Sequence, residues 1–123
     1  MMANRAILHV EDNMENRLLV KRLLQSGGFE VLEAADADKA MEIVQKQMPA
    51  LILMDINMPD IDGYTLTSQI KKLPAFSKIP IVAITANVMK GDREKTIRAG
   101  CDGYIEKPID VDHFLDTIEH FLR

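Results

Sequence analysis

Apolar positions along the chain fall into two alternating patterns. Five short runs have strand length: Ala6-Ile7-Leu8-His9-Val10, Phe29-Glu30-Val31-Leu32, Leu51-Ile52-Leu53-Met54, Ile79-Pro80-Ile81-Val82-Ala83-Ile84 and Gly103-Tyr104-Ile105. The third and fourth are almost unbroken, the pattern of a strand covered on both faces of a parallel sheet. Between the runs, apolar residues recur at helical spacing. After Asn13, an acceptable N-cap, come Leu19, Val20, Leu23 and Leu24, and Gly27-Gly28 is a stop signal. After Asp36 the stripe is Ala37, Ala40, Met41, Val44 and Met48, closed by Pro49. After Gly63 it is Leu66, Ile70 and Leu73, closed by Pro74; after Asp110 it is Val111, Phe114, Leu115, Ile118, Phe121 and Leu122. The fourth segment, Val88 to Ala99, has only Val88, Met89 and Ile97, which predicts a loosely seated, largely solvated helix.

Strand and helix patterns therefore alternate five times. That order predicts an α/β domain: a parallel sheet, helices on both faces and right-handed crossovers. Ligands of open sheets of this kind bind beyond the carboxyl ends of the strands, where strand order reverses. The residues ending each run are thus the ones to inspect.

Composition narrows the classes. The 123 residues fit one domain, 1–123, with no room for a separate output domain. Lys plus Arg number 15 against 19 Asp plus Glu, a net charge of −4, and no basic run is present, which argues against a nucleic-acid partner. No apolar run approaches membrane-span length, and no signal-peptide pattern opens the chain, so a cytoplasmic location is expected. A single cysteine, Cys101, excludes a disulfide framework and a multi-cysteine metal knuckle, and is read as packing rather than nucleophile. His9 reads as a tolerated strand histidine, His113 and His120 as exposed, and Lys71-Lys72 as solvated.

The strand ends carry the chemistry. Run one ends in Glu11-Asp12-Asn13, run three in Asp55-Ile56-Asn57, run four in Thr85-Ala86-Asn87 and run five in Lys107-Pro108; run two ends in Glu33-Ala34-Ala35, without such a cluster. Singly, each is more simply a solvated loop residue. If four of these ends are neighbours, one crevice holds three carboxylates, a hydroxyl and an amine. Three crowded carboxylates repel, and without a cation one of them must hold a proton. Oxygen-only ligands of this kind suit Mg²⁺, which accepts phosphate oxygens as further ligands. Lys107 and Thr85 add a positive charge and a hydroxyl donor, so the set fits a phosphoryl group beside the metal, with one carboxylate as nucleophile.

These positions resemble a two-component response-regulator receiver domain, over essentially the whole chain. The resemblance implies a flavodoxin-like five-stranded parallel sheet of order 2-1-3-4-5. It implies Glu11 and Asp12 as the acidic pair and Asp55 as phosphoacceptor, followed by the loop Asn57-Met58-Pro59 and by Gly63. Asp12, Asp55 and the Asn57 carbonyl are the expected direct Mg²⁺ ligands, with Glu11 acting through water. Thr85 with small Ala86 matches the switch residue, Tyr104 the rotating aromatic, and Lys107-Pro108 the phosphate-contacting lysine with its cis peptide. The Glu11-Asp12-Asn13…Asn16 opening is most similar to stand-alone chemotaxis, cell-division and phosphorelay regulators. The implied partners are a sensor histidine kinase or histidine phosphotransfer protein and a downstream target in trans. The protein is expected to be a monomer or weak homodimer, with neither a nucleic acid nor a membrane as partner. The expected output face combines the fourth helix, fifth strand and fifth helix, with Lys90, Arg93, Lys95, Arg98 and Glu106 exposed on it.

Three other classes fit the chain less well. A Mg²⁺-dependent phosphohydrolase usually has a second Asp two residues after its nucleophile, where this chain has Asn57, and usually needs a cap. A flavodoxin-like cofactor module needs a phosphate loop where Glu11-Asp12 stand. A receiver-like scaffold that is never phosphorylated would not need the intact acidic set. The expected role is a phosphorylatable switch, not an enzyme beyond its own phosphorylation and dephosphorylation.

Overall fold

The computed structural model of the protein describes residues 4–58, 63–86 and 92–123. Five strands, β1 (Ala6–Val10), β2 (Glu30–Ala34), β3 (Leu51–Asp55), β4 (Ile81–Thr85) and β5 (Gly103–Glu106), alternate with five helices. These are α1 (Met14–Ser26), α2 (Ala37–Lys46), α3 (Gly63–Lys71), α4 (Asp92–Ala99) and α5 (Phe114–Leu122), with a short 3₁₀ turn at Pro74–Phe76. All pairings are parallel, in the order β2-β1-β3-β4-β5. The order turns back at β1, which lies between β2 and β3, so the ends of β1 and β3 flank the switch point.

Both faces of the sheet are covered, which is why β1, β3 and β4 are buried at every position. One face carries Leu8, Val10, Ile52, Met54 and Ala83 against Ala40 and Val44 of α2 and Leu66 and Ile70 of α3. The other carries Ile7, Leu51, Leu53, Val82 and Ile84 against Val20 and Leu24 of α1 and Phe114 and Ile118 of α5. Helix starts are fixed by local chemistry. Asn13 Oδ1 accepts the Asn16 N–H at 2.9 Å, and Asp36 Oδ1 accepts the Lys39 N–H at 2.7 Å. Helix α1 stops where Gly28 takes φ +83°, a conformation a side chain resists.

Several stripe positions end up elsewhere. Met48 lies beyond the end of α2 and is 45% exposed, Val111 precedes α5 and is 51% exposed, and Leu19 is 40% exposed. β2 begins at Glu30 rather than Phe29, whose ring is buried just before the strand. Among the described side chains of α4, Thr96 is buried and Ile97 is 65% exposed. The expectations for Pro59, Asn87, Val88, Met89, Lys90 and the Arg93 side chain lie outside the described residues.

The ends where the strands begin are tied by polar bonds. Arg5 donates to the Gly27 carbonyl at 2.9 Å, pairs with Glu119 at 3.1 Å and lies 4.0 Å over the Phe29 ring. Lys71 is not a solvated charge: its ammonium donates to the Ile79 carbonyl at 2.6 Å and pairs with Asp102 at 3.1 Å. Asp102 Oδ2 in turn accepts the Ile81 N–H at 2.8 Å.

Candidate functional site

Parallel registry brings the opposite strand ends together. Val10 lies against Met54, and Thr85 against Glu106. Glu11, one residue past β1, therefore comes level with Asp55, the last residue of β3. Side chains alternate along a strand, so His9 and Glu11 share a face with Ile7, and Asp55 shares one with Leu51 and Leu53.

Glu11, Asp12 and Asp55 offer carboxylate oxygens that all lie within 4.8 Å of one another. Glu11 and Asp55 are buried at 1% and 2% exposure, whereas Asp12 faces solvent. The Lys107 ammonium enters from the β5 end, 3.3 Å from Glu11 Oε1 and 3.5 Å from Asp55 Oδ1. The Asn57 N–H donates to Asp55 Oδ1 at 3.1 Å, which bends the chain after β3 around the carboxylate. The Lys107–Pro108 peptide is cis.

The crowding leaves an electrostatic signature. Burial, together with the neighbouring Asp55 carboxylate, pushes the Glu11 carboxyl up to about 7, against the partial relief from Lys107. Glu11 Oε2 is buried without a hydrogen-bond partner. Two buried acids, an exposed third and one ammonium leave an excess of negative charge that a divalent cation would neutralise. An all-oxygen donor set fits Mg²⁺ better than a soft metal. The three carboxylates can hold such an ion.

Other expected residues fall around this cluster. Thr85 is buried at 3% exposure at the end of β4, and its carbonyl accepts the Lys107 N–H at 2.8 Å. Ala86 follows it, exposed. Tyr104 is half-buried, packed against the α2–α3 side of the core. Its position on β5 lies opposite Ala83, two residues before Thr85. Glu94, Lys95 and Arg98 of α4 and Glu106 of β5 are exposed. Cys101 is buried in the core, and desolvation pushes its thiol up to about 11, in keeping with a packing role.

Two contributors are not evident from strand ends. Arg17, from the first turns of α1, donates to the Glu11 carbonyl at 2.8 Å and the Asp12 carbonyl at 3.0 Å, and so holds the acidic loop by its backbone. A helix placing an arginine six residues after the acid is the signal that could have found it. His9 is 1% exposed, and burial lowers its imidazole to about 4. A polar residue inside an otherwise apolar strand is the corresponding signal.

Residues 7–119 match the family described as response regulator receiver domain. The polar-differentiation response regulator DivK of Brucella anthropi is 36% identical over 118 residues, 96% of each chain. The solved chemotaxis protein CheY4 of Vibrio cholerae superposes with a TM-score of 0.92 at 27% identity, covering 97% of this chain and 99% of that one. The receiver domain of sensor histidine kinase PA1611 of Pseudomonas aeruginosa, described with a magnesium ion coordinated in its active site cleft, gives 0.88 at 34% identity over 98% of both chains. The acidic cluster at the switch point, the lysine that enters it and these likenesses agree: the chain belongs to the response-regulator receiver family and serves two-component phosphorelay signalling.

Proposed function

We propose that Asp55 accepts a phosphoryl group from a phosphohistidine of a sensor kinase or phosphotransfer protein, and that Mg²⁺ is the resident ion. The observation that carries this reading is the Asp55 carboxylate, 2% exposed, between a second buried acid and the Lys107 ammonium at 3.5 Å. Asp12, Asp55 and the Asn57 carbonyl would hold the ion directly, with Glu11 acting through water; the magnesium described for the PA1611 receiver supports this choice. When bound, Mg²⁺ supplies positive charge to the phosphoryl oxygens.

The chain's own residues do the rest. An Asp55 carboxylate oxygen attacks phosphorus, and the phosphorus–nitrogen bond of the donor breaks. Its electron pair returns to the donor imidazole, which then takes a proton. Lys107 stabilises charge on a phosphoryl oxygen. Thr85 donates its hydroxyl to another, and this pull is the proposed trigger. Small Ala86 beside Thr85 leaves room for the Tyr104 ring to move inward, so the phosphoryl group favours one of two arrangements through a differential contact. The face formed by α4, β5 and α5 then presents a changed surface, which includes Lys95, Arg98 and Glu106, to a target protein in trans. In this reading residues 1–123 act as one signalling domain, catalysing only the gain and loss of their own phosphoryl group. No described helix is long and apolar enough to cross a membrane, and a cytoplasmic site of action is part of the proposal.

The test is incubation with a small-molecule phosphodonor and Mg²⁺, followed by intact mass. One added phosphoryl group, absent with EDTA and in Asp55→Asn, is expected. Normal phosphorylation without metal would overturn the reading. For the switch, chemical shifts of the Mg²⁺–beryllofluoride form should differ from the free form at α4 and near Tyr104; changes confined to the metal loops would refute it.

A further inference from the structure

His9 is out of keeping with its surroundings. Its strand is buried at every position, and its neighbour across the β1–β3 ladder is Leu53. It lies on the face that packs against α1 and α5, and it shares a cavity lining with Val20 and Ile84. Such a site favours an apolar side chain, because a buried imidazole must either find partners for its two nitrogens or lose their hydration uncompensated. Among the described residues, neither His9 Nδ1 nor Nε2 has a hydrogen-bond partner in the protein. Glu11 Oε2 is the other such buried side-chain atom among the described residues.

These atoms belong to residues that border one cavity. A space of about 120 Å³ is lined by His9, Glu11, Asn16 and Lys107 on its polar side, and by Val20 and Ile84 among its apolar walls. Water takes up roughly 30 Å³ per molecule in the liquid, and a buried water needs two to four polar partners. The cavity is wide enough for more than one water molecule and borders enough polar groups to hold it. Dry cavities, by contrast, have apolar linings.

We propose that this cavity is a built water site linking the His9 imidazole to Glu11 Oε2, and that His9 is a positioning residue for the acidic cluster. A neutral imidazole has one donor and one acceptor nitrogen. The water accepts a hydrogen bond from the donor nitrogen and donates one to Glu11 Oε2. That bond holds the Glu11 carboxylate from behind, with Oε1 3.3 Å from the Lys107 ammonium. The carboxylate is thus oriented before a cation arrives, and less ordering remains for binding to supply. The hydrated cavity stands on its own; the role toward the cation rests on the Mg²⁺ reading above.

Two experiments on the full chain separate these parts. The first is a high-resolution crystal structure of the wild-type protein. Ordered water within hydrogen-bond distance of a His9 nitrogen and of Glu11 Oε2 is expected, and a dry cavity overturns the proposal. The second is Mg²⁺ titration, followed by NMR, of wild type, His9→Ile and His9→Gln. His9→Ile keeps an apolar strand but loses the link, and should weaken Mg²⁺ binding about tenfold, the low end for losing an outer-shell partner. His9→Gln, which can still bond the water, should recover most of that loss. The His9 ring ¹⁵N shifts of the wild type should also move on Mg²⁺ addition, which keeps the test decisive if His9→Ile misfolds. Equal Mg²⁺ affinity in wild type and a folded His9→Ile, or unmoved ring shifts, overturns the positioning role. Failure of the wild type to bind Mg²⁺ overturns both that role and the functional reading, whereas the crystallographic water judges the cavity alone.

Discussion

Gly63 opens α3 directly behind the acidic site, and replacing it with alanine is the sharpest test of how that site is supported. A Cβ at this position would sit 2.5 Å from the Asp55 carbonyl oxygen and 2.8 Å from the Ile56 Cα. Both obstacles are backbone, so neither can swing aside as a side chain does. Ordinary contact begins near 3.4 Å, so α3 and the end of β3 must separate by about 0.9 Å (3.4 less 2.5) along that line. The separation strains the 3.2 Å bond from the Gly63 N–H to the Ile56 carbonyl and loosens the packing of Leu66 and Ile70 on the sheet. Overpacking of this kind costs about 1–3 kcal/mol, and the lack of a flexible neighbour puts Gly63→Ala at the upper end, ~3 kcal/mol. Gly28→Ala is the control. It meets open space but must hold φ +83°, a backbone penalty of roughly 1–2 kcal/mol. Urea denaturation of both variants in EDTA measures the difference. Because Gly63 presses on the backbone of Asp55, the proposed phosphoacceptor, its variant should also phosphorylate more slowly with a small-molecule donor, whereas Gly28→Ala should not. A Gly63→Ala protein as stable as wild type, or no less stable than Gly28→Ala, would refute the reasoning.

Other outcomes follow from the charges. Lys107→Ala should bind Mg²⁺ about fivefold more tightly, a gain of roughly 1 kcal/mol, because the ammonium 3.3 and 3.5 Å from two carboxylates no longer competes with the cation; NMR titration reads this, and weaker binding would contradict it. The buried His9 imidazole has its pKa lowered from 6.5 to about 4, so the unfolded chain binds the extra proton first and the wild type loses stability as pH falls through that window. In EDTA it should lose about 3 kcal/mol relative to His9→Ile between pH 6.5 and 4, and a pH-independent difference would show that the imidazole is not held neutral. Glu11 works in the opposite sense: its raised pKa means that stability present at low pH is lost as pH rises from 4.5 to about 7, a loss that Glu11→Gln should remove. Cys101, buried and with its thiol pushed up to about 11, should resist iodoacetamide at pH 8 until the protein unfolds; rapid native-state alkylation, read by intact mass, would contradict its burial.

The layers and the residues at their edges were legible because their causes are local. A run such as Leu51-Ile52-Leu53-Met54 has one stable environment, a strand covered on both faces, and the acid after it must then stand at an edge. Strand order was not written in spacing; it came with the family resemblance and is what the pairing shows. Helix limits were less legible. Val111 and Met48 continue their stripes, but a stripe records which face is apolar, not where backbone bonding stops. Arg17 and Lys71 were opaque for another reason: their shortest bonds go to main-chain carbonyls, and a carbonyl has no letter in the sequence. His9 could be seen as odd, but the partnerless state of its nitrogens depends on what α1 and β4 place around it.

The bonds of Arg5, Lys71 and Asp102 divide labour between the two rims of the sheet. They rivet helices and loops to the rim where the strands start, while the acidic cluster lies at the rim where they finish. The side chains that tether α5 and the loops before β4 and β5 are thus a different set from those that crowd at the acidic rim.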